Sequence, residues 1–156
     1  MDDTDCITCD LIARRDAGAA PLWDMVHRTP GWDVAHCNAT SLPGWMVLVA
    51  RRHVEAIDEL TDEEALELGA LLRQVSAALR ETVQCERSYV VQFAEAAGHR
   101  HVHFHIIPRM SDLSEEQRGP KVFTYLGVPE QERVSEEVMN DIGCRVRNYL
   151  QEHLPA

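Results

Sequence analysis

The sequence lacks any apolar run approaching the ~18 residues of a membrane span, so no segment is expected to cross a bilayer. It is short of basic residues, with 15 Lys and Arg against 26 Asp and Glu, a net charge of −11. Such a surface repels DNA, RNA and anionic lipid at long range, which excludes broad nucleic-acid or membrane-surface binding. The first twenty residues carry Asp2, Asp3, Asp5 and Asp10 and no apolar stretch, so no leader is visible and the cytoplasm is the expected address. Internal repeats, low-complexity tracts and Pro-, Gly- or Ser-rich linkers are also absent, and 156 residues suit one domain. The five cysteines (Cys6, Cys9, Cys37, Cys85 and Cys144) are an odd number, which argues against a disulfide framework and for reduced thiols or a metal site.

What is present is average in bulk: 45% hydrophobic and 26% charged residues, the mix of a globular chain with a real core. The clearest helix spans about residues 61–84. Thr61 and Glu64 form a capping box, and Leu68, Leu71, Leu72, Val75, Leu79 and Val83 recur at three- and four-residue spacing. A second helix is predicted over 135–152 on the same grounds, with Ser135 as its cap, and a short third near Cys9. Extended segments are predicted at 22–26, 32–37, 46–50, 87–93 and 101–108, with 111–132 as an irregular surface loop. Strands and helices do not alternate regularly, so the fold class is α+β with a mainly antiparallel five-stranded sheet and two principal helices.

The chemistry concentrates in His101-Val102-His103-Phe104-His105-Ile106-Ile107. Three histidines alternating with apolar residues share one face of a strand, while Val102, Phe104 and Ile106 fill a core on the other. Pro108 is expected to end that ladder. Neighbouring imidazoles would be ~6.6 Å apart at the backbone, so three on one ion would be strained and a division of labour is more natural. Neutral imidazole is a nucleophile, and its conjugate acid donates to phosphate oxygens. The surroundings suit phosphate: residues 99–109 hold four histidines, Arg100 and Arg109 but no acid, and Arg51, Arg52 and His53 form a second acid-free cluster. Cys6 and Cys9 have the spacing of half a tetrahedral zinc site; a redox reading would want a preceding strand for which there is no room. Cys37, Cys85 and Cys144 read as small buried apolar residues.

The histidine segment resembles the signature of the histidine triad (HIT) superfamily of nucleotidyl hydrolases and transferases. Gly44-Trp45-Met46-Val47-Leu48-Val49-Ala50-Arg51-Arg52-His53 resembles the family's Gly-His-x-Leu-Val-x-Pro-Lys-x-His strand, with Trp45 at a usual histidine and Ala50 at a usual proline. Cys6-Ile7-Thr8-Cys9 resembles the Cys-x-x-Cys of its zinc-containing, bacterial-type members. The resemblance covers about residues 6–109 and leaves the C-terminal loop and helix, 110–156, without a role.

The resemblance implies a HIT-like fold and a catalytic set of His101, His103 and His105, with His103 as nucleophile on the α-phosphate and His105 donating to phosphoryl oxygens. It implies that Asn38 meets the ribose, that Gln92 faces the phosphate, and that His36 and Trp45 wall the base. The usual hydroxyl before the triad is missing in Ala96-Ala97-Gly98-His99-Arg100, which passes the phosphate grip to Arg100 or His99. A structural zinc is implied on Cys6, Cys9, His53 and His101, with none required for chemistry, and so is a homodimer. Two other function classes fit the residues: a nucleotide sensor or adaptor with little turnover, and a metal-dependent enzyme using the histidine strand directly.

Overall fold

The computed structural model describes residues 5–155. Its elements are α1 (Ile7–Asp16), β1 (His27–Arg28), β2 (Trp32–His36), β3 (Met46–Ala50), α2 (Asp62–Val83), β4 (Arg87–Val91), β5 (His103–Arg109) and α3 (Glu136–His153), joined by short 3-10 turns. The five strands form one sheet in the order β1-β2-β3-β5-β4, antiparallel at every step. Among the described residues no helix is long and apolar enough to cross a membrane.

Alternation along the strands separates two faces. Trp32, Val34, Met46, Leu48, Phe104 and Ile106 bury one face against Leu68, Leu71, Val75 and Leu79 of α2 and Ile142, Val146 and Leu150 of α3. The caps are those read from the sequence: Thr61 and Glu64 close a capping box on α2, and the Ser135 hydroxyl accepts from the Val138 N–H on α3. The opposite face carries Asp33, Ala35, Val47, Val49, His103 and His105, and α1 lies against part of it.

Several expectations are corrected here. Residues 22–24 form a 3-10 turn after Pro21, and only His27–Arg28 pairs with β2, because Trp23 and Asp24 are held by partners outside the sheet. β5 begins at His103, not His101: the Val102 N–H turns away to the Val54 carbonyl while the Val102 carbonyl still receives Ala50 N–H. Pro108 stays inside β5 opposite Ser88, since the ladder to β3 already ends at the Met46–Ile106 pair. Cys144 is exposed and Cys37 half-buried; of the three extra cysteines only Cys85 is buried.

Residues 111–132 are more than a surface loop. They bury Leu113 and Val122 with Leu42, Trp45 and Ile107 in a second apolar cluster at one end of the sheet. Backbone bonds tie the segment to residues 39–41: Ser41 N–H to Tyr125 C=O (3.0 Å) and Gly127 N–H to Ala39 C=O (2.8 Å).

His36 does not wall a ligand site. It lies on the helix-covered face of β2, fully buried; its Nδ1–H donates to the Cys37 carbonyl (2.8 Å) and its Nε2 accepts the Gly44 N–H (2.9 Å). Gly44 adopts φ +91°, a left-handed conformation, so the imidazole closes the turn of the β2–β3 hairpin. Burial pushes the His36 imidazole down to about 4 from 6.5. The unfolded chain therefore takes up a proton between pH 6.5 and 4 that the fold refuses. Stability from this group is complete above pH 6.5 and is lost on acidification, by about 3 kcal/mol at 1.36 kcal/mol per unit. Urea unfolding at pH 7.5 and 4.5 should show a smaller acid-induced loss in His36→Gln than in the unaltered chain, by about 2–3 kcal/mol; equal losses would contradict this role.

Candidate active site and metal centre

Cys6 caps α1, and its thiol sulfur accepts the Cys9 N–H at 3.4 Å, so both sulfurs project from the helix's first turn. His53 follows β3 and His101 precedes β5. The four ligand atoms of Cys6, Cys9, His53 and His101 lie within 4.8 Å of one another. Cys6 Sγ and Cys9 Sγ are each 3.6 Å from His101 Nδ1, and Cys9 Sγ is 3.3 Å from His53 Nδ1. Metal–sulfur and metal–nitrogen bonds of about 2.3 and 2.0 Å in a tetrahedron give S···N edges of about 3.5 Å, so the donor set and its spacing fit such an ion. The outer ring nitrogens are also engaged: His101 Nε2–H donates to the Ala50 carbonyl (2.5 Å), and His53 Nε2 is 3.6 Å from Glu55 Oε1.

The His101 carbonyl leads to the next histidine. His103 Nδ1 is 2.6 Å from that oxygen, and a carbonyl can only accept, so Nδ1 carries the proton and Nε2 keeps a lone pair. His105 is set the other way. The Trp45 indole N–H donates to His105 Nδ1 (3.0 Å), leaving the ring proton on Nε2. The two rings are 5.1 Å apart. Burial, then the neighbouring His103, pushes the His105 imidazole down to about 4, so at neutral pH it is an uncharged donor. One face of the strand thus presents a lone pair beside an N–H.

Both rings open into a cavity of about 350 Å³. His99, His103 and His105 stand together on its wall, Ala35, Val47 and Val49 line it from the sheet, and Thr8, Leu11 and Arg14 line it from α1. A buried ion network holds that helix in place. Arg15 donates to the Asp24 carbonyl (2.7 Å) and carboxylate (2.8 Å) and reaches Asp33 (3.5 Å), while Arg28 bridges Asp33 (2.6 Å) and Asp16 (2.7 Å). Breaking such a buried pair on one side costs about 3–5 kcal/mol, which fixes the wall's position.

Of the residues singled out from sequence, Asn38 lines this cavity with His103 and His105. Gln92 follows β4 and is half-buried. Trp45 is fully buried behind His105 and does not wall the cavity, because its indole is enclosed in the second apolar cluster. Arg100 is exposed and borders a separate cavity with Asp5, Cys6, His53 and Glu55; His99 takes the inner place, its Nδ1 3.2 Å from Thr8 Oγ1. The Arg51–His53 island disperses: Arg51 donates to the Thr29 and Pro30 carbonyls, Arg52 pairs with Glu64, and His53 joins the cysteines. Sequence reasoning missed Thr8, Leu11, Arg14 and Arg15. Their three- and four-residue spacing marks one face of α1, which was the available signal.

The comparisons with known proteins agree with this geometry. No curated protein matches the chain. Three solved structures share the fold over nearly the whole chain. A histidine triad nucleotide-binding protein from Sulfolobus tokodaii matches at TM-score 0.68 and 16% identity, covering 94% of this chain and 93% of that one. A zinc-bound histidine triad family protein from Mycobacterium smegmatis matches at TM-score 0.65 and 15% identity over 94% of each chain. A HIT-like protein from Bartonella henselae, described as involved in cell-cycle regulation and carrying an unknown ligand, matches at TM-score 0.66 and 18% identity over 90% and 95%. The HIT domain model matches residues 25–112, more than half of the sequence and including β1 to β5. The chain therefore belongs to the histidine triad (HIT) domain family.

Proposed function

We propose that this protein binds a nucleotide in the cavity beside His103 and transfers its nucleoside monophosphate portion, first to His103 and then to water or another acceptor. The opposed tautomers of His103 and His105 carry this reading. His103 Nε2 attacks the α-phosphorus; a P–N bond forms, the bond to the leaving group breaks, and that group departs with the electron pair and takes a proton from solvent. His105 Nε2–H donates to a phosphoryl oxygen as charge develops there. Water then attacks phosphorus and gives up a proton to solvent, the P–N bond breaks with its electron pair returning to His103 Nε2, and the monophosphate is released. Asn38, which lines the cavity, meets the ribose, and the apolar Val47, Val49 and Leu11 surfaces of the same lining receive the base. Phosphoramidates and dinucleoside polyphosphates are the substrate types that fit. The absence of a hydroxyl in residues 96–100 favours the second reading, a sensor that binds nucleotide and turns it over slowly.

We also read Cys6, Cys9, His53 and His101 as a structural zinc site: four protein donors close the coordination sphere. Thiolates of this kind suit a reducing compartment such as the cytoplasm. The partner that fits best is a second copy of this chain. β4 is the sheet's edge, and Val90 on it (46% exposed) and Phe93 just beyond it (61%) present apolar surface there.

His103→Ala should lower kcat on an adenosine phosphoramidate by about a thousandfold or more, since it deletes the attacking atom, while AMP affinity by calorimetry changes less than about fivefold. Unchanged turnover would remove the mechanism, and AMP binding without product in the unaltered protein would select the sensor. The purified protein should carry one zinc per chain by elemental analysis. Cys9→Ser should lose it and melt several degrees lower; a metal-free, equally stable unaltered protein would refute the zinc reading.

A further inference from the structure

Two aromatic side chains from separate parts of the chain meet around His105, and a third backs one of them. Trp45, immediately before β3, has its ring centroid 5.7 Å from the imidazole at 89°. Phe123, in the 3-10 turn Gly119–Tyr125, stands edge-on to both: 5.6 Å and 84° from His105, 5.5 Å and 85° from Trp45. Phe93, just after β4, packs on Phe123 at 5.6 Å. Phe123 lies beyond the residues 25–112 matched by the domain model, in the segment that the family resemblance leaves without a role.

The chemistry of the contact is one-sided. Indole N–H is a donor and never an acceptor, and it does not titrate in the working range. An imidazole facing it through Nδ1 must offer a lone pair there and hold its proton on Nε2. The other tautomer would set two N–H groups head to head, and so would the imidazolium. Phe123 keeps the indole from swinging out, because it fills the space beside the ring and excludes the water that would compete for the bond. Val47 and Val91 flank His105 in the sheet, and of the rings packed on it only His103 is titratable.

We propose that Trp45, backed by Phe123 from the C-terminal segment, is a positioning residue that locks His105 in its Nε2–H tautomer and aims that proton at the transferred phosphoryl group. The proposal rests on the transfer reading above, and it assigns the segment after β5 a part in the site.

The test separates the two. Long-range proton–nitrogen spectra of nucleotide-free, 15N-histidine-labelled protein report the tautomer without any turnover. The unaltered protein should show His105 with Nδ1 unprotonated and Nε2 protonated throughout pH 5.5–8.5. Trp45→Phe, which keeps a ring and removes the donor, should show both tautomers and lower kcat on the phosphoramidate about tenfold with KM changed less than twofold. Trp45→His, which returns a ring N–H, should recover most of kcat and the single tautomer. A proton on Nδ1 in the unaltered protein would overturn the lock, and that spectrum decides the matter even if the variants fold poorly. An unchanged tautomer or unchanged kcat in folded Trp45→Phe would overturn the positioning role. A correct tautomer in a protein that transfers nothing would leave the lock standing and overturn the transfer reading.

Discussion

His101 joins three systems through three of its atoms. Its Nδ1 lies within reach of both Cys6 and Cys9 sulfurs, its Nε2–H is fixed to the Ala50 carbonyl, and its own carbonyl holds the Nδ1 proton of His103. Each bond is ordinary, about 0.5–1.5 kcal/mol net, but each lies in or beside the buried interior, where leaving one partner unmade costs more than the bond itself. The result is a chain of constraint from α1 through a buried imidazole to His103 on the cavity wall. A metal on the four donors would not touch a substrate; it would tie α1, the end of β3 and the start of β5 to a common point.

The cavity depends on the same economy of fixed parts. Its sheet side is set by the β2–β3–β5 register, which places Ala35, Val47, Val49, His103 and His105 on the face away from α2 and α3. Its helical side is set by charge. Arg15 is buried with Asp24 and Asp33, and Arg28 completes the pairing, so the positive charge that fixes this wall is answered by acids. His103 and His105 face the same cavity, whose lining also includes Asp24, and that carboxylate is neutralised by Arg14 and Arg15.

Much of this was legible because it is local. Period-two alternation in residues 101–107 separates the core residues Val102, Phe104 and Ile106 from the histidines, and the Thr61 and Ser135 caps bound two helices to within a residue or two. Cys-x-x-Cys announces half a metal site because one helical turn suffices to build it. What sequence could not show was set by distant partners. The extended segment expected over 22–26 gives way to a 3-10 turn at Leu22–Asp24 because Asp24 is claimed by two arginines of α1. His36, Trp45 and Arg100 have the side chains of ligand-binding residues, and only the three-dimensional arrangement shows the first closing a hairpin, the second addressing His105 and the third facing another cavity. The 111–132 segment has no period at all, yet it buries Leu113 and Val122 and delivers Phe123 to the site.

The Nε2 lone pair of His103 is left to the cavity because the other ring nitrogen is bonded to the backbone, and the proposed transfer depends on it. Rapid acid-free quenching of the protein with excess adenosine phosphoramidate, followed by peptide mass spectrometry, tests it most directly. The predicted result is a peptide spanning residues 101–109 that carries one adenylyl group on His103 and loses it on standing in water. Steady product formation with no adduct on that peptide, or an adduct on a different residue, would contradict it.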